Sequence, residues 1–168
     1  QADLASLQAA TRLEPGNAEY AYRVGRYKFL VNSHPVAALQ SYRTAAELNP
    51  HNARYWLALA QAYQWLGDSD HQLASLERGI HTNPTTPDVA WEAANLYLVR
   101  GETEKAMPEL KIAMANDISV LPAALQLAWR ATPDADTLLR DVIPTTAQAY
   151  VAFLDMLIAH KETAACAV

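Results

Sequence analysis

The chain has 168 residues, of which 51% are hydrophobic and 18% charged, and its formal net charge is −5. That length is enough for one sizeable hydrophobic core or a short stack of repeated units, and the single cysteine, Cys166, excludes an intrachain disulfide. The acidic balance argues against binding nucleic acid or an anionic membrane surface, and no apolar stretch approaches the roughly 18 residues of a membrane helix.

The first predicted element is a helix whose apolar face is formed by Leu4, Leu7, Ala10 and Leu13 and which ends at Pro15. In the spacing described below, this helix corresponds to the second helix of a pair whose first helix is missing. At the other end, residues 161–163 predict a turn, and 164–168 begin a further helix. We therefore expect the chain to be a piece of a larger protein; the alternative is a processed chain with half-repeat caps.

The stretch from Ala53 to Pro84 predicts a helix, a tight turn at Gly67 and a second helix. Its apolar residues, three or four positions apart as on one face of a helix, are Trp56, Leu59, Tyr63, Leu73, Leu76 and Ile80. The unit returns 34 residues later, where Tyr97 corresponds to Tyr63 and Gly101 to Gly67.

Three independent columns of residues share this period. Their members are Tyr42, Leu76 and Leu110; Ala45, Gly79 and Ala113; and Leu39, Leu73 and Met107. The earliest full unit, 18–51, contains Val24-Gly25 in the place of Leu59-Ala60, but counting back 34 or 35 residues gives two registers that differ by one. The segment 33–35 replaces the turn glycine there, and this unit carries one extra residue.

Capping and turn residues support the predicted ends of the helices. Asn52 can cap a helix start, and Thr86-Pro87 places a proline at a first helical position. Gly67 and Gly101 suit the left-handed residue that closes a helix. After residue 117 the pattern weakens: we expect a short helix at 121–130, a helix at 134–142 and a longer one at 145–160. This is interpreted as a divergent repeat followed by a partial one, with a separate small helical domain as the alternative.

Trp56-x-x-Leu59-Ala60-x-x-Tyr63, with the later Pro84, resembles the tetratricopeptide repeat (TPR), whose pattern is W-x-x-L-G-x-x-Y followed by a terminal proline. The resemblance implies an all-α fold, an α-α superhelix in which antiparallel helix pairs form a right-handed solenoid. It predicts a single domain over 1–168. The segments are a second helix of a preceding repeat (1–17), three repeats (18–51, 52–85 and 86–118), a divergent repeat (119–144) and a partial repeat (145–168).

In that family the first helices of successive repeats line a concave groove that holds a partner. The groove positions implied by the resemblance are Tyr22, Arg23, Arg26, Arg54, Leu57, Gln61, Gln64, Trp65, Asp88, Trp91, Asn95 and Leu98. Peptide-binding surfaces favour such aromatic and arginine side chains. Trp65 and Trp91 can alternatively be buried against the next repeat. The chaperone-binding clamp of the family is disfavoured, because its places hold Arg26, Ala58, Asp88 and Glu92, and two of these are acidic.

Catalytic and metal-binding patterns are lacking in the sequence. The histidines do not follow ligand spacing, and Gly67-Asp68-Ser69-Asp70 lacks the later oxygen ligands of a calcium loop, so it predicts a turn and a helix cap. No phosphate-binding glycine loop is present. We expect no enzyme activity and no cofactor.

The expected function is a scaffold that binds a protein or peptide of unknown identity. We expect no nucleic acid partner and no membrane insertion of this segment. Self-association through open repeat ends is the alternative, because an uncapped solenoid end exposes an apolar face. RNA binding is disfavoured because basic residues are few. The sequence does not distinguish a cytoplasmic from an extracytoplasmic location.

Overall fold

The computed structural model describes residues 4–31 and 33–166, with the side chains of 162–166 left out. Helices account for 82% of it and no strand occurs in the described part, which confirms the all-α prediction. The helices are α1 (Leu4–Leu13), α2 (Ala18–Leu30), α3 (Pro35–Leu48), α4 (Ala53–Trp65), α5 (Ser69–Thr82), α6 (Pro87–Val99), α7 (Thr103–Asn116), α8 (Leu121–Ala131), α9 (Ala135–Thr137) and α10 (Ala147–Cys166). The chain divides into two compact units, residues 1–84 and 85–168.

Neighbouring helices pack as pairs: α2 with α3 and α4 with α5 in the first unit, and α6 with α7 in the second. Connections of three or four residues make the members of each pair antiparallel neighbours. Within the described ranges, none of the helices combines the length and apolar character that crossing a bilayer requires.

The helix starts follow the predicted capping residues. The Asn52 side chain accepts a hydrogen bond from the backbone N–H of Arg54 at 3.1 Å, and Pro87 occupies the first turn of α6. The Asp68 side chain accepts a hydrogen bond from the backbone N–H of His71, so the helix cap predicted at this turn is observed.

The helix starts also settle the register of the first repeat. The interval from the start of α2 to that of α4, Ala18 to Ala53, is 35 residues, whereas the interval from α3 to α5, Pro35 to Ser69, is 34. The extra residue therefore lies between α2 and α3. Ser33 takes the left-handed conformation there with φ of 51°, in the place where Gly67 and Gly101 have φ of 71° and 76°.

The core of the first unit is rich in tyrosine. It contains Ala21, Tyr22, Ala38, Tyr42, Ala45, Tyr55, Leu59, Ala62 and Tyr63. Gly25 allows α2 to approach α3 closely, because a Cβ at this position would lie 2.6 Å from the Tyr42 ring. Burial raises the pKa of the Tyr42 hydroxyl well above its ordinary value, and the neighbouring Tyr22 adds to that rise.

The core of the second unit is aliphatic. Its main members are Leu110, Met114, Leu121, Leu125, Leu138, Val142, Ile143, Phe153 and Met156. Pro108 lies inside α7 at an exposed position, so the helix continues past it with the ring directed away from this core.

Two predictions for the C-terminal part differ from the structure. The helix predicted at 134–142 consists of the short α9 followed by a π-helical segment, Leu138–Val142, in which the Ile143 N–H donates to the Leu138 carbonyl at 2.8 Å. Pro144 forces Ile143 into an extended conformation and ends the helix there.

The turn predicted at 161–163 is wrong, because α10 continues through these residues to Cys166. Lys161, Glu162 and Thr163 include no glycine or proline, so nothing in the local sequence breaks the helix. The predicted helix at 164–168 therefore belongs to α10 as far as Cys166, and its last two residues lie outside the described part.

Candidate functional site

The predicted binding residues of the first unit lie on α2 and α4, and we call this surface the α2–α4 face. Tyr22 is its buried base, with 6% of its surface exposed. The Arg54 Nε donates a hydrogen bond to the Tyr22 hydroxyl at 3.0 Å, and the Arg54 guanidinium carbon lies 4.3 Å from the centroid of the same ring. The Arg26 guanidinium carbon is 5.9 Å from that centroid. One tyrosine ring thus holds two exposed arginines close together.

Glu19 lies beside the arginines of the α2–α4 face, at the end that we call its cationic end. Its carboxylate accepts from Arg23 Nε at 2.7 Å and from the Tyr55 hydroxyl at 3.3 Å. Partial burial acts to raise the pKa of Glu19, but the Arg23 hydrogen bond and the charge of Arg54 outweigh it and leave that pKa below its ordinary value. Glu19 therefore stays ionised and holds Arg23, which leaves Arg26 as an arginine without a carboxylate partner among the described residues.

Sequence reasoning missed Glu19 and Tyr55. The four-residue spacing of Glu19 and Arg23 on one helix was an available signal for the ion pair. The contact of Glu19 with Tyr55 depends on the 35-residue interval between α2 and α4, which the sequence left undecided.

An open hollow of about 660 Å³ adjoins this end of the face. It is lined by Glu14, Gly16, Asn17, Ala18, Glu19, Leu48, Asn49 and Tyr55. Its carboxylates and amide groups extend the polar surface beyond the predicted residues.

The other end of the α2–α4 face is less polar. Leu57 and Gln61 are half-buried, and Gln64 is exposed. Trp65 is 74% exposed, and its ring meets the Phe29 ring edge to face with the centroids 6.0 Å apart. Within its own unit Trp65 is therefore a surface residue at the end of α4.

In the second unit the predicted residues follow α6. Asp88 is exposed, whereas Trp91, Asn95 and Leu98 are half-buried. Trp91 and Leu98 pack against the aliphatic core of this unit. The Asn95 side-chain amide donates to the Trp91 carbonyl at 2.8 Å. Arg54 and Asp88, which the sequence places in equivalent positions, belong to different units.

Two histidines, whose side chains could act in catalysis or bind a metal, contact aromatic rings and a helix-capping residue. The His71 ring pairs with Asp68 at 2.8 Å and stacks on Tyr63 with centroids 5.0 Å apart. His160 lies beside Trp129, with ring centroids 5.6 Å apart. Over the described residues, no three histidine, cysteine or acidic side chains converge as a metal site would require. The Cys166 side chain lies outside the described part.

No protein-family model matches the sequence, and no significant relative is found among the curated proteins. Solved structures of MamA do resemble the chain. One has a TM-score of 0.69 at 19% identity, covering 96% of this chain and 88% of that one, and a second has a TM-score of 0.68 at the same identity. A structure named MamA MSR-1 has a TM-score of 0.55 at 25% identity over 69% of this chain and 66% of its own. MamA has a TPR-like helical-repeat fold, and this chain is therefore an all-α protein of the same helical-repeat fold class.

Proposed function

We propose that the chain is a non-catalytic scaffold of the tetratricopeptide type, which binds a protein or peptide segment through the first helices of its pairs, α2 and α4 in the first unit and α6 in the second. The recurrence of helix pairs with 13 residues in the first member and 14 in the second supports this assignment. The proposal keeps the repeat segments that the sequence predicts, beginning at residues 18, 52 and 86.

The observation that carries the proposal is the composition of the α2–α4 face. Arginine, amide and aromatic side chains occupy one surface, and Arg54 is held in place by the buried Tyr22 hydroxyl. A side chain that is already ordered loses less entropy when a partner binds, which increases affinity for the same contacts. Amide side chains such as Gln61 and Gln64 offer both a donor and an acceptor to the backbone of an extended peptide.

Binding is tested by selecting peptides from a random library displayed against the whole chain and measuring their dissociation constants. We expect Trp91→Ala to weaken the complexes by about 30-fold, equivalent to about 2 kcal/mol, as for an interface hot spot. Gln61→Ala should weaken them severalfold while leaving the helix content unchanged, which separates binding from any effect of Trp91 on folding.

The matched controls are Glu77→Ala and Arg78→Ala on α5, which are exposed residues outside the proposed surface. They should leave the dissociation constants unchanged. If a library yields no peptide that binds, or if binding depends on α5 and not on Gln61 and Trp91, the proposed surface is wrong.

Self-association is a second candidate function, and one feature of the second unit favours it. The outer side of α10 exposes Val151, Leu154 and Ile158 at 58%, 57% and 56%, which form one row along the helix. Burial of such a row against a copy of itself would remove apolar surface from water. Light scattering over a range of concentrations should then show a mass that rises above 18.5 kDa. The variant Leu154→Glu should hold the mass at that of the monomer; a constant mass in the unmodified chain contradicts this candidate.

A further inference from the structure

A second hollow of the first unit is lined by residues of α1, α2 and α3, and we call it the α1–α3 hollow. Its volume is about 380 Å³, and cationic, amide, hydroxyl and apolar side chains line it. α2 contributes Ala21, Val24 and Lys28, whereas the α2–α4 face uses Tyr22 and Arg26 of the same helix. Sites for whole small molecules begin at about 300 Å³, so the hollow is large enough for one.

The hollow lies where the first repeat lacks the two aromatic residues of the repeat pattern. The 35-residue interval between the starts of α2 and α4 pairs Ala21 with Trp56 and Lys28 with Tyr63. A methyl group thus replaces an indole ring, and a flexible amine replaces a phenol. The first repeat therefore has space where the second repeat has two rings of its own.

In the second repeat, arginines of the neighbouring second helices contact these two rings. The Arg43 guanidinium donates a hydrogen bond to the Tyr63 hydroxyl at 3.1 Å, and the Arg78 guanidinium carbon lies 6.0 Å from the centroid of the Trp56 ring. At the places of both arginines the first repeat has uncharged residues that line the hollow, Gln8 and Thr44. Both rings and both of their cations are thus replaced together.

The hollow has cations of its own, although the whole chain has a net charge of −5. Lys28 is half-buried, and its Nζ donates a hydrogen bond to the hydroxyl of the buried Ser41 at 3.1 Å. Two further N–H groups of this ammonium remain for a ligand. Arg12 lines the hollow from α1 and is exposed. Among the described residues, none of those lining the hollow is acidic, and neither cation has a carboxylate partner. This arrangement favours an anion.

We propose that the α1–α3 hollow binds a small organic acid that contains a planar aromatic ring. The ring lies against Ala21 and Val24, in the space that corresponds to the Trp56 ring of the second repeat. The acidic group binds the Lys28 ammonium, and Arg12 adds positive charge at the opening. This site is separate from the α2–α4 face, so the proposal does not depend on the binding of a peptide there.

The test titrates indole-3-acetate into the whole chain and follows binding by calorimetry. Three control compounds each change one property: indole lacks the charge, acetate lacks the ring, and tryptamine carries the opposite charge. We expect indole-3-acetate to bind at one site per chain, about tenfold or more tightly than any of the three. Its advantage over indole should decrease as the salt concentration rises, because salt screens the attraction of the carboxylate to the two cations.

Variants assign the binding to the hollow. Lys28→Gln should weaken the binding of indole-3-acetate about tenfold and remove its advantage over indole. Arg12→Gln should weaken it severalfold. Ala21→Trp places an indole of the chain itself in the hollow and should abolish binding. The matched control is Arg130→Gln, because Arg130 is an exposed arginine of α8 in the second unit.

Circular dichroism shows whether each variant keeps its helix content. If Ala21→Trp does not fold, the Lys28 and Arg12 variants decide the test.

Several results would overturn the inference. One is an equal affinity for indole-3-acetate and indole, and another is the failure of indole-3-acetate to bind at millimolar concentration. Unchanged binding in a folded Ala21→Trp variant, or an equal loss in Lys28→Gln and Arg130→Gln, would place the acid elsewhere on the chain. The affinities of library peptides should stay unchanged in Lys28→Gln, so this site and the scaffold function can fail independently.

Discussion

Replacing Tyr63 by alanine is expected to lower the free energy of unfolding by about 3–5 kcal/mol, as large aromatic truncations in protein cores do. Tyr63 is 7% exposed within the tyrosine-rich core of the first unit, and its ring stacks on His71. Truncation would remove the apolar contacts of the ring and leave a cavity between α4 and α5. Urea unfolding followed by circular dichroism measures the change.

The control for this prediction is Tyr63→Phe. It keeps the ring and removes only the hydrogen bond that Arg43 donates to the hydroxyl at 3.1 Å. Because Arg43 is on the surface, this bond should contribute about 1 kcal/mol or less. Equal losses for the alanine and phenylalanine variants would show that the hydroxyl, and not the packing of the ring, determines the stability.

Replacing Gly25 by alanine is expected to lower the stability of the unmodified chain but to raise it when Tyr42 is leucine. Adding a methyl group there places a carbon 2.6 Å from the Tyr42 ring, which is 3% exposed and confined by Tyr22 and Phe29. Overpacking costs about 1–3 kcal/mol, and the higher helix propensity of alanine returns about 1 kcal/mol of this. Gly25→Ala should therefore destabilise the chain by up to about 2 kcal/mol in net terms.

In a Tyr42→Leu background the same change should stabilise. Tyr42→Leu alone leaves space beside Gly25, and the alanine methyl group fills part of it. The pair then has the residues found at the equivalent positions of the later repeats, Ala60 with Leu76 and Ala94 with Leu110. A double-mutant cycle should give a favourable coupling of about 1–3 kcal/mol. Additive losses would mean that the two residues do not constrain each other.

The sequence was sufficient for the helix pairs because their signals are local and repeated. Asn52, Pro87, Gly67 and Gly101 act within one turn of the chain, and their roles follow from backbone preferences alone. The register of the first repeat could not be decided in this way. Ser33 takes the left-handed conformation that glycine takes in the other two turns, and no glycine or proline marks the additional residue.

The candidate site was less accessible to sequence reasoning. Repeat positions gave residues on α2, α4 and α6, but the contacts of Glu19 with Tyr55 and of Phe29 with Trp65 join residues 36 apart, off the 34-residue period. Such contacts follow from how helix surfaces meet, which the periodicity does not specify. Equally, the hydrogen bond from Ile143 to Leu138 depends on the tertiary setting of α7 and α8 around it.

The exposure of Trp65 gives the molecule an intrinsic optical probe. Among the four tryptophans, Trp65 is exposed while Trp56, Trp91 and Trp129 are half-buried. A collisional quencher such as iodide should therefore reach the Trp65 indole first, and the emission that it removes should be the most red-shifted part of the spectrum. Any partner that covers the Trp65 indole should shield this component from iodide, so that binding is read from fluorescence without a label.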